Sequence, residues 1–90
     1  MIQTTSTFRK DYKRENRTQR NLENILTDFL VYLLTYEKIP FLFRDHALTG
    51  NMSGYRACHL KPDLVMVYRM PDSETIVLTA LGSHSELFKK

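Results

Sequence analysis

Pro40 divides this chain of 90 residues into two stretches whose apolar side chains keep different periods. Before it, Leu22, Ile25, Leu26, Phe29, Leu33 and Tyr36 recur every three or four positions, the spacing of one helix face. After it, short apolar runs such as Leu64-Val65-Met66-Val67-Tyr68 are bounded by turn-forming residues at Gly50-Asn51, Ser53-Gly54 and Pro71-Asp72-Ser73-Glu74. A chain that changes period once, with no internal repeat, segregates its helices and strands into separate layers.

In the helical half a short strand is expected at Ile2 to Thr5. Ser6 or Thr7 is then the expected N-cap of a helix reaching about Arg17. On a helical wheel Phe8 and Tyr12 share a face with Glu15 and Gln19, while Arg9, Lys10, Lys13, Arg14 and Arg17 occupy the opposite one. Asn21 is placed to cap the second stripe. One unbroken helix from Thr7 to Glu37 would extend roughly 46 Å, against a radius of gyration of ~12 Å for a compact chain of this length. A break near Thr18 to Arg20, giving a helical hairpin, resolves the conflict.

Strands are expected at about Tyr55 to Leu60, Leu64 to Met70 and Thr75 to Leu81, with Leu64 to Tyr68 apolar on both faces as a central strand would be. The segment from Arg44 to Asn51 lacks a clean period. The sum is an α+β domain over residues 1–90, a two-helix hairpin packed on a small, mostly antiparallel sheet of about four strands.

Charge and cysteine content bound the chemistry. The formal net charge is +3, but in the first twenty residues Arg9, Lys10, Lys13, Arg14, Arg17 and Arg20 face only Asp11 and Glu15, which favours an anionic partner such as nucleic acid. Cys58 is the only cysteine, so no internal disulfide forms and no cysteine zinc site exists. The longest apolar run, Phe29 to Leu34, is far short of the roughly 20 residues of a membrane span, and the first residues carry no export signal pattern. The expectation is a soluble cytoplasmic protein without membrane attachment.

The histidines lie in "RDHALTG", "CHLKPD" and "GSHSELF", each where the chain enters or leaves an expected strand. Singly, such a histidine is ordinarily a solvated or capping side chain. Together they mean more, because the start of one strand adjoins the end of its antiparallel partner. His59, Asp63 and His84 are thereby expected to converge, and His46 joins them if its loop folds over the same edge. Imidazoles titrate near pH 6.5, so a set of them can hold a base and an acid together, worth about 10² to 10⁴ in rate. RNA suits such a set, since its 2′-hydroxyl is a built-in nucleophile and the set supplies both proton transfers. A metal site is the competing reading, with three histidines and an aspartate as a tetrahedral shell. No pair has the i, i+4 spacing of a helical zinc site, however, and His59 to Asp63 spans Pro62. Phe88, four residues after His84, either stacks on a base or pins the C-terminal segment to the core.

The stretches "RDHALTGNMSGYRACHLKPDLVMVY" and "LGSHSELF", in that order, resemble the YafQ-type branch of the RelE/ParE toxin superfamily, over roughly residues 8 to 88. The resemblance implies a compact sheet with a helical pair against it. It further implies the toxin of a bacterial type II toxin-antitoxin system, an endoribonuclease that cuts mRNA in the ribosomal A site without metal or other cofactor and is silenced by a cognate antitoxin protein. Matched motif by motif, it carries catalytic positions onto His46, His59, Asp63 and His84, and an RNA-contacting aromatic onto Phe88. Two positions depart from it: Ala57 stands where relatives often have an acidic residue, and Ala80 where they often have arginine. Arg56, Lys61 or a protonated His46 would then supply the cation that stabilises the phosphorane.

On this reading Arg9, Lys10, Lys13, Arg14 and Arg17 contact ribosomal RNA while the histidine cluster cuts the message. The antitoxin is expected to lay an acidic segment across the basic helix or an exposed sheet edge. The alternative from another class is a non-catalytic binder, either a ParE-like gyrase poison or a toxin relic acting with its antitoxin on operator DNA. A free-standing ribonuclease is the third.

Overall fold

A computed structural model describes residues 1–88. Helix α1 (Ser6–Glu15) is capped by Thr5, whose hydroxyl accepts from the Phe8 N–H at 3.0 Å and donates to the Thr79 carbonyl at 2.7 Å. The cap falls one residue before Ser6 because this hydroxyl also ties the helix start to a strand, which Ser6 could not do from inside the helix. The helix stops at Glu15, short of Arg17, where the next turn folds back onto the Glu15 carbonyl. Helix α2 (Leu22–Thr35) follows. Asn21 precedes it in left-handed backbone at φ 59° and makes no side-chain cap bond, so its contribution is tolerance of that conformation rather than capping. Tyr36 leaves the apolar stripe. It ends α2 at φ 58°, is 75% exposed and donates its hydroxyl proton to the Ser73 carbonyl.

The sheet contains β1 (Ile2–Thr4), β2 (His46–Ala47), β3 (Arg56–Lys61), β4 (Leu64–Asp72) and β5 (Thr75–Gly82), in the order β1-β5-β4-β3-β2. Only the β1–β5 pair is parallel. The fold class is as expected, but there are five strands rather than about four. Two residues of β2 are too few to display alternation, so this strand is set by pairing rather than local pattern. A third helix, α3 (His84–Phe88), occupies what reads in the sequence as a polar tail.

Strand alternation divides the sheet's residues between two environments. Cys58, Leu60, Leu64, Met66, Tyr68, Ile76, Leu78 and Leu81 pack against Phe8 of α1 and Leu22, Phe29 and Leu33 of α2. Phe29 lies at the centre, edge-on to Tyr68 at 5.6 Å and to Phe43 at 5.2 Å. The opposite face carries two cross-strand rows, His46–Ala57–Val67–Ala80 and His59–Val65–Gly82. The register of β4 on β5 shifts between Val67 and Tyr68, where Tyr68 pairs with Leu78 and Thr79 is the extra residue. This bulge keeps Leu78 in the core while turning Ala80 to the other face. No helix among the described residues is long and apolar enough to cross a membrane.

Candidate active site

The face of the sheet turned away from α1 and α2 holds the histidines. His46, His59, His84 and Phe88 line one shallow cleft of about 100 Å³, with Ala57, Val65 and Leu48 as its apolar floor and side. Three separate elements supply the imidazoles: β2, β3 and the first turn of α3.

Two of the rings have their tautomer set by backbone. The His46 Nδ1 lies 2.8 Å from the Arg44 carbonyl, and the His59 Nδ1 makes a longer 3.4 Å approach to the Pro62 carbonyl. A carbonyl only accepts, so Nδ1 carries the proton at each and Nε2 is the free nitrogen. His84 is held differently. The Ser83 N–H donates to Glu86 Oε1 at 2.8 Å while the Glu86 N–H donates to Ser83 Oγ at 3.2 Å, a reciprocal cap that starts α3 at His84. The Ser83 N–H first, and then the Ser83 hydroxyl, hold the Glu86 carboxyl below its usual range. One helical turn later Phe88 is half-buried, its ring 4.9 Å from that of His84 and tilted by 51°. A Cβ at Gly82 would come within 2.9 Å of Glu86 Oε1 and would displace the carboxylate that caps α3.

Polar supports that the sequence did not disclose hold this face from behind. Tyr68, fully buried in β4, donates its hydroxyl proton to Asp45 Oδ1, and Arg56 donates to Asp45 Oδ2 from Nη2 at 2.6 Å and from Nε at 3.2 Å. Burial, then the hydrogen bond to Asp45 and its negative charge, drives the Tyr68 hydroxyl well above its ordinary pKa, so it stays a proton donor. Asp45 thereby fixes the residue directly before His46. On the other side Asp11 Oδ2 accepts from the Leu81 N–H at 3.0 Å, and Arg14 Nη2 donates to the Leu81 carbonyl at 3.0 Å. Arg14 also bonds Asp11 and Glu15. Helix α1 thus grips both backbone polar groups of Leu81, just ahead of Gly82 and His84.

Of the residues expected to meet in one pocket, His46, His59, His84 and Phe88 do. Asp63 does not line that cleft; it is exposed in the two-residue turn between β3 and β4, and no hydrogen bond or ion pair among the described residues holds its carboxylate. Lys61 borders a second cleft of about 270 Å³ with Leu42, Arg44, His59, Leu60 and Pro62, so His59 is the wall between the two. Arg56, expected near a phosphate, is engaged by Asp45 instead. Arg14, expected on a free basic face, is engaged by α1 and β5, and Arg9 bonds the Thr4 carbonyl and hydroxyl. Lys10, Lys13 and Arg17 are exposed without an ion pair among the described residues. All five belong to α1 or the turn after it, on the packed side of the sheet, although the Arg14 guanidinium reaches its edge and would lie 3.6 Å from a Cβ at Gly82. Of the supports, the Ser83-x-x-Glu86 cap was written in the sequence as a recognisable pattern, whereas the partners of Asp45 and Leu81 lie too far along the chain for any local signal.

Ala57 and Ala80 stand in the same cross-strand row on either side of Val67. The two departures noted in the sequence are therefore one spatial feature, an uncharged strip through His46. Among the described residues no three His, Cys, Asp or Glu side chains are grouped to hold a metal ion. The imidazoles share a cleft without converging on a point.

Two main helices on one face of a five-strand, mostly antiparallel sheet, with a histidine-lined cleft on the other, define a RelE-like toxin fold. A family model described as the bacterial toxin of type II toxin-antitoxin system, YafQ, matches residues 1–89, and the chain belongs to that family. The mRNA interferase toxin YafQ of Escherichia coli K12 is 27% identical over 97% of this chain and 94% of its own. A metal-bound toxin from Helicobacter pylori is 39% identical, with a TM-score of 0.87 over 98% of both chains. The matching chain of the E. coli DinJ-YafQ complex is 28% identical, with a TM-score of 0.81 over 98% of this chain and 97% of that one.

Proposed function

We propose that this protein is an mRNA interferase, a ribosome-dependent endoribonuclease in which His46, His59 and His84 form the acid-base set. One observation carries the reading: three imidazoles from three separate elements line a single cleft with an aromatic ring at its edge. The name of the E. coli relative, an mRNA interferase toxin, supports the same substrate.

The chemistry follows from what RNA brings. One imidazole removes the 2′-hydroxyl proton; the 2′-oxygen attacks the adjacent phosphorus; the bond from phosphorus to the 5′-oxygen breaks; and a second imidazole, as imidazolium, protonates that oxygen. The products are a 2′,3′-cyclic phosphate and a 5′-hydroxyl. Atoms and electrons balance, and in this proposal the imidazoles make both proton transfers without a metal. With Nδ1 turned to a carbonyl, His46 and His59 each offer Nε2 to the substrate. Base and acid are properties of the coupled set. Asp63 lies in the turn that also provides the Pro62 carbonyl to His59, and it joins the proposed site through that turn. Phe88 stacks on a base beside the scissile bond, a contact commonly worth about 1 to 3 kcal/mol.

Lys10, Lys13 and Arg17, with Arg9 and Arg14 beside them, contact ribosomal RNA. Because the cleft is on the opposite face of the sheet, the reading requires a surrounding site such as the ribosomal A site, where RNA meets both faces. The partners are thus the ribosome, its mRNA and, by analogy with the DinJ-YafQ complex, a cognate antitoxin that covers basic or edge surface. All of these are cytoplasmic, and the single reduced cysteine, buried in the core, suits that compartment.

The test is to express wild type and His84→Ala and map mRNA 5′ ends. Wild type is expected to produce ends within codons and arrest growth, and His84→Ala to do neither while melting at the wild-type temperature. Unchanged cutting by the variant removes the catalytic role, and intact message with double-strand DNA breaks indicates a gyrase poison.

A further inference from the structure

The attack just described places extra negative charge on the phosphorane, which a preorganised cation must meet. The row through His46 offers Ala57, Val67 and Ala80, and the row through His59 offers Val65 and Gly82, none of them charged. Arg56 is held by Asp45.

Arg44 is differently situated. It borders the 270 Å³ cleft with His59 and Lys61, and also a wider one of about 750 Å³ with Asp45 and His46. Its backbone is in the left-handed region at φ 49°, a conformation that non-glycine residues keep only where the surroundings dictate it. Those surroundings are visible on both sides. Phe43 is wedged against Phe29 at 5.2 Å and Tyr32 at 6.2 Å, and Asp45 is bound by Tyr68 and Arg56. Between these two anchors the Arg44 N–H donates to the Phe41 carbonyl at 2.9 Å, and its own carbonyl accepts from His46 Nδ1 at 2.8 Å. The guanidinium has no hydrogen bond or ion pair among the described residues. A pinned backbone therefore presents an uncommitted cation that borders one cleft with His46 and another with His59, beside the cleft that His84 and Phe88 line.

We propose that Arg44 is a catalytic residue that binds the non-bridging oxygens of the scissile phosphate, with Lys61, which borders the same cleft, holding a neighbouring phosphate. The planar fork of arginine suits a two-oxygen contact that strengthens as the phosphorane forms, whereas lysine suits a point contact along the strand. This assignment rests on the RNA-cleaving reading above.

Single-turnover cleavage of mRNA on programmed ribosomes tests it, with wild type, Arg44→Gln, Arg44→Lys and His84→Ala compared on substrates with and without one phosphorothioate at the cut site. Arg44→Gln is expected to lower the chemical rate about 10² to 10³-fold, with ribosome binding and melting temperature unchanged. Arg44→Lys should recover part of that loss. Sulfur should slow wild type but have little further effect on Arg44→Gln, a non-additivity that a merely structural role does not produce. Wild-type rates in Arg44→Gln alongside a silent His84→Ala overturn the role of Arg44 and leave the ribonuclease standing. Additive effects of sulfur and substitution also overturn it. No cutting by wild type removes the ribonuclease reading and this assignment with it.

Discussion

The two faces of the sheet are built on opposite principles. Toward α1 and α2, Leu64, Met66, Tyr68 and Leu81 are almost wholly removed from water and packed against large side chains. Toward the cleft the buried residues are small, namely Ala57, Val65 and Val67, and the histidines stand over them, each fixed by one or two backbone or capping contacts. The difference teaches where polar bonding is concentrated. Asp45, Arg56, Asp11 and Arg14 make ion-pair and backbone contacts, and none of them lines the histidine cleft. They fix the segments on which His46 and His84 sit, so the histidine side of the sheet inherits its geometry from the packed side.

Removing a support should therefore injure both faces at once. The largest such effect is expected from Tyr68→Phe. Asp45, whose side chain is 9% exposed, loses a charged hydrogen bond at one oxygen. The expected loss is about 1.5 to 3 kcal/mol in chemical denaturation, accompanied by slower mRNA cutting as His46 loses its fixed neighbour. A variant that is destabilised yet cuts at the wild-type rate would separate the two faces and break the comparison.

A smaller and sharper effect concerns Glu86. Its folded pKa is depressed, so its capping contribution is fully present above the ordinary carboxylate range and disappears as pH falls through the depressed value. On acidification, amide resonances of Ser83 to Phe88 should report fraying of α3 before the core unfolds. Glu86→Gln can accept the Ser83 N–H without titrating, and it should remove that pH dependence. Identical titration of both proteins would show that the cap does not order His84.

The sequence made these faces unequally legible. Apolar period identified both main helices and the long strands, since burial of a continuous stripe leaves a local mark at Leu22, Phe29, Leu33 and Leu64 to Tyr68. It could not identify β2, which exists because His46 and Ala47 pair with Ala57 and Arg56, residues that also had to be placed first. The same limit explains the cations. A helical wheel puts Arg14 on the outer face beside Asp11 and Glu15 but gives no sign of its reach to the end of β5, and Arg56 looked free until Asp45 came within reach. His59 and His84 could be brought together in advance because hairpin connectivity returns their strand ends to one edge, whereas His46 depended on how its loop folds. Asp63 obeyed the connectivity but ended in the turn itself, outside the cleft, where two residues of chain leave no room to point back.

The end groups of the cut message test the central claim most directly. If three imidazoles direct the 2′-hydroxyl, message cleaved on purified ribosomes must carry a 2′,3′-cyclic phosphate upstream and a 5′-hydroxyl downstream. The rate must also persist when the toxin, stripped of metal with EDTA, is added to ribosomes in their usual magnesium. A 3′-hydroxyl with a 5′-phosphate would assign the attack to water, and activity lost on stripping and restored by a transition metal would assign the activation to that metal; either contradicts the account.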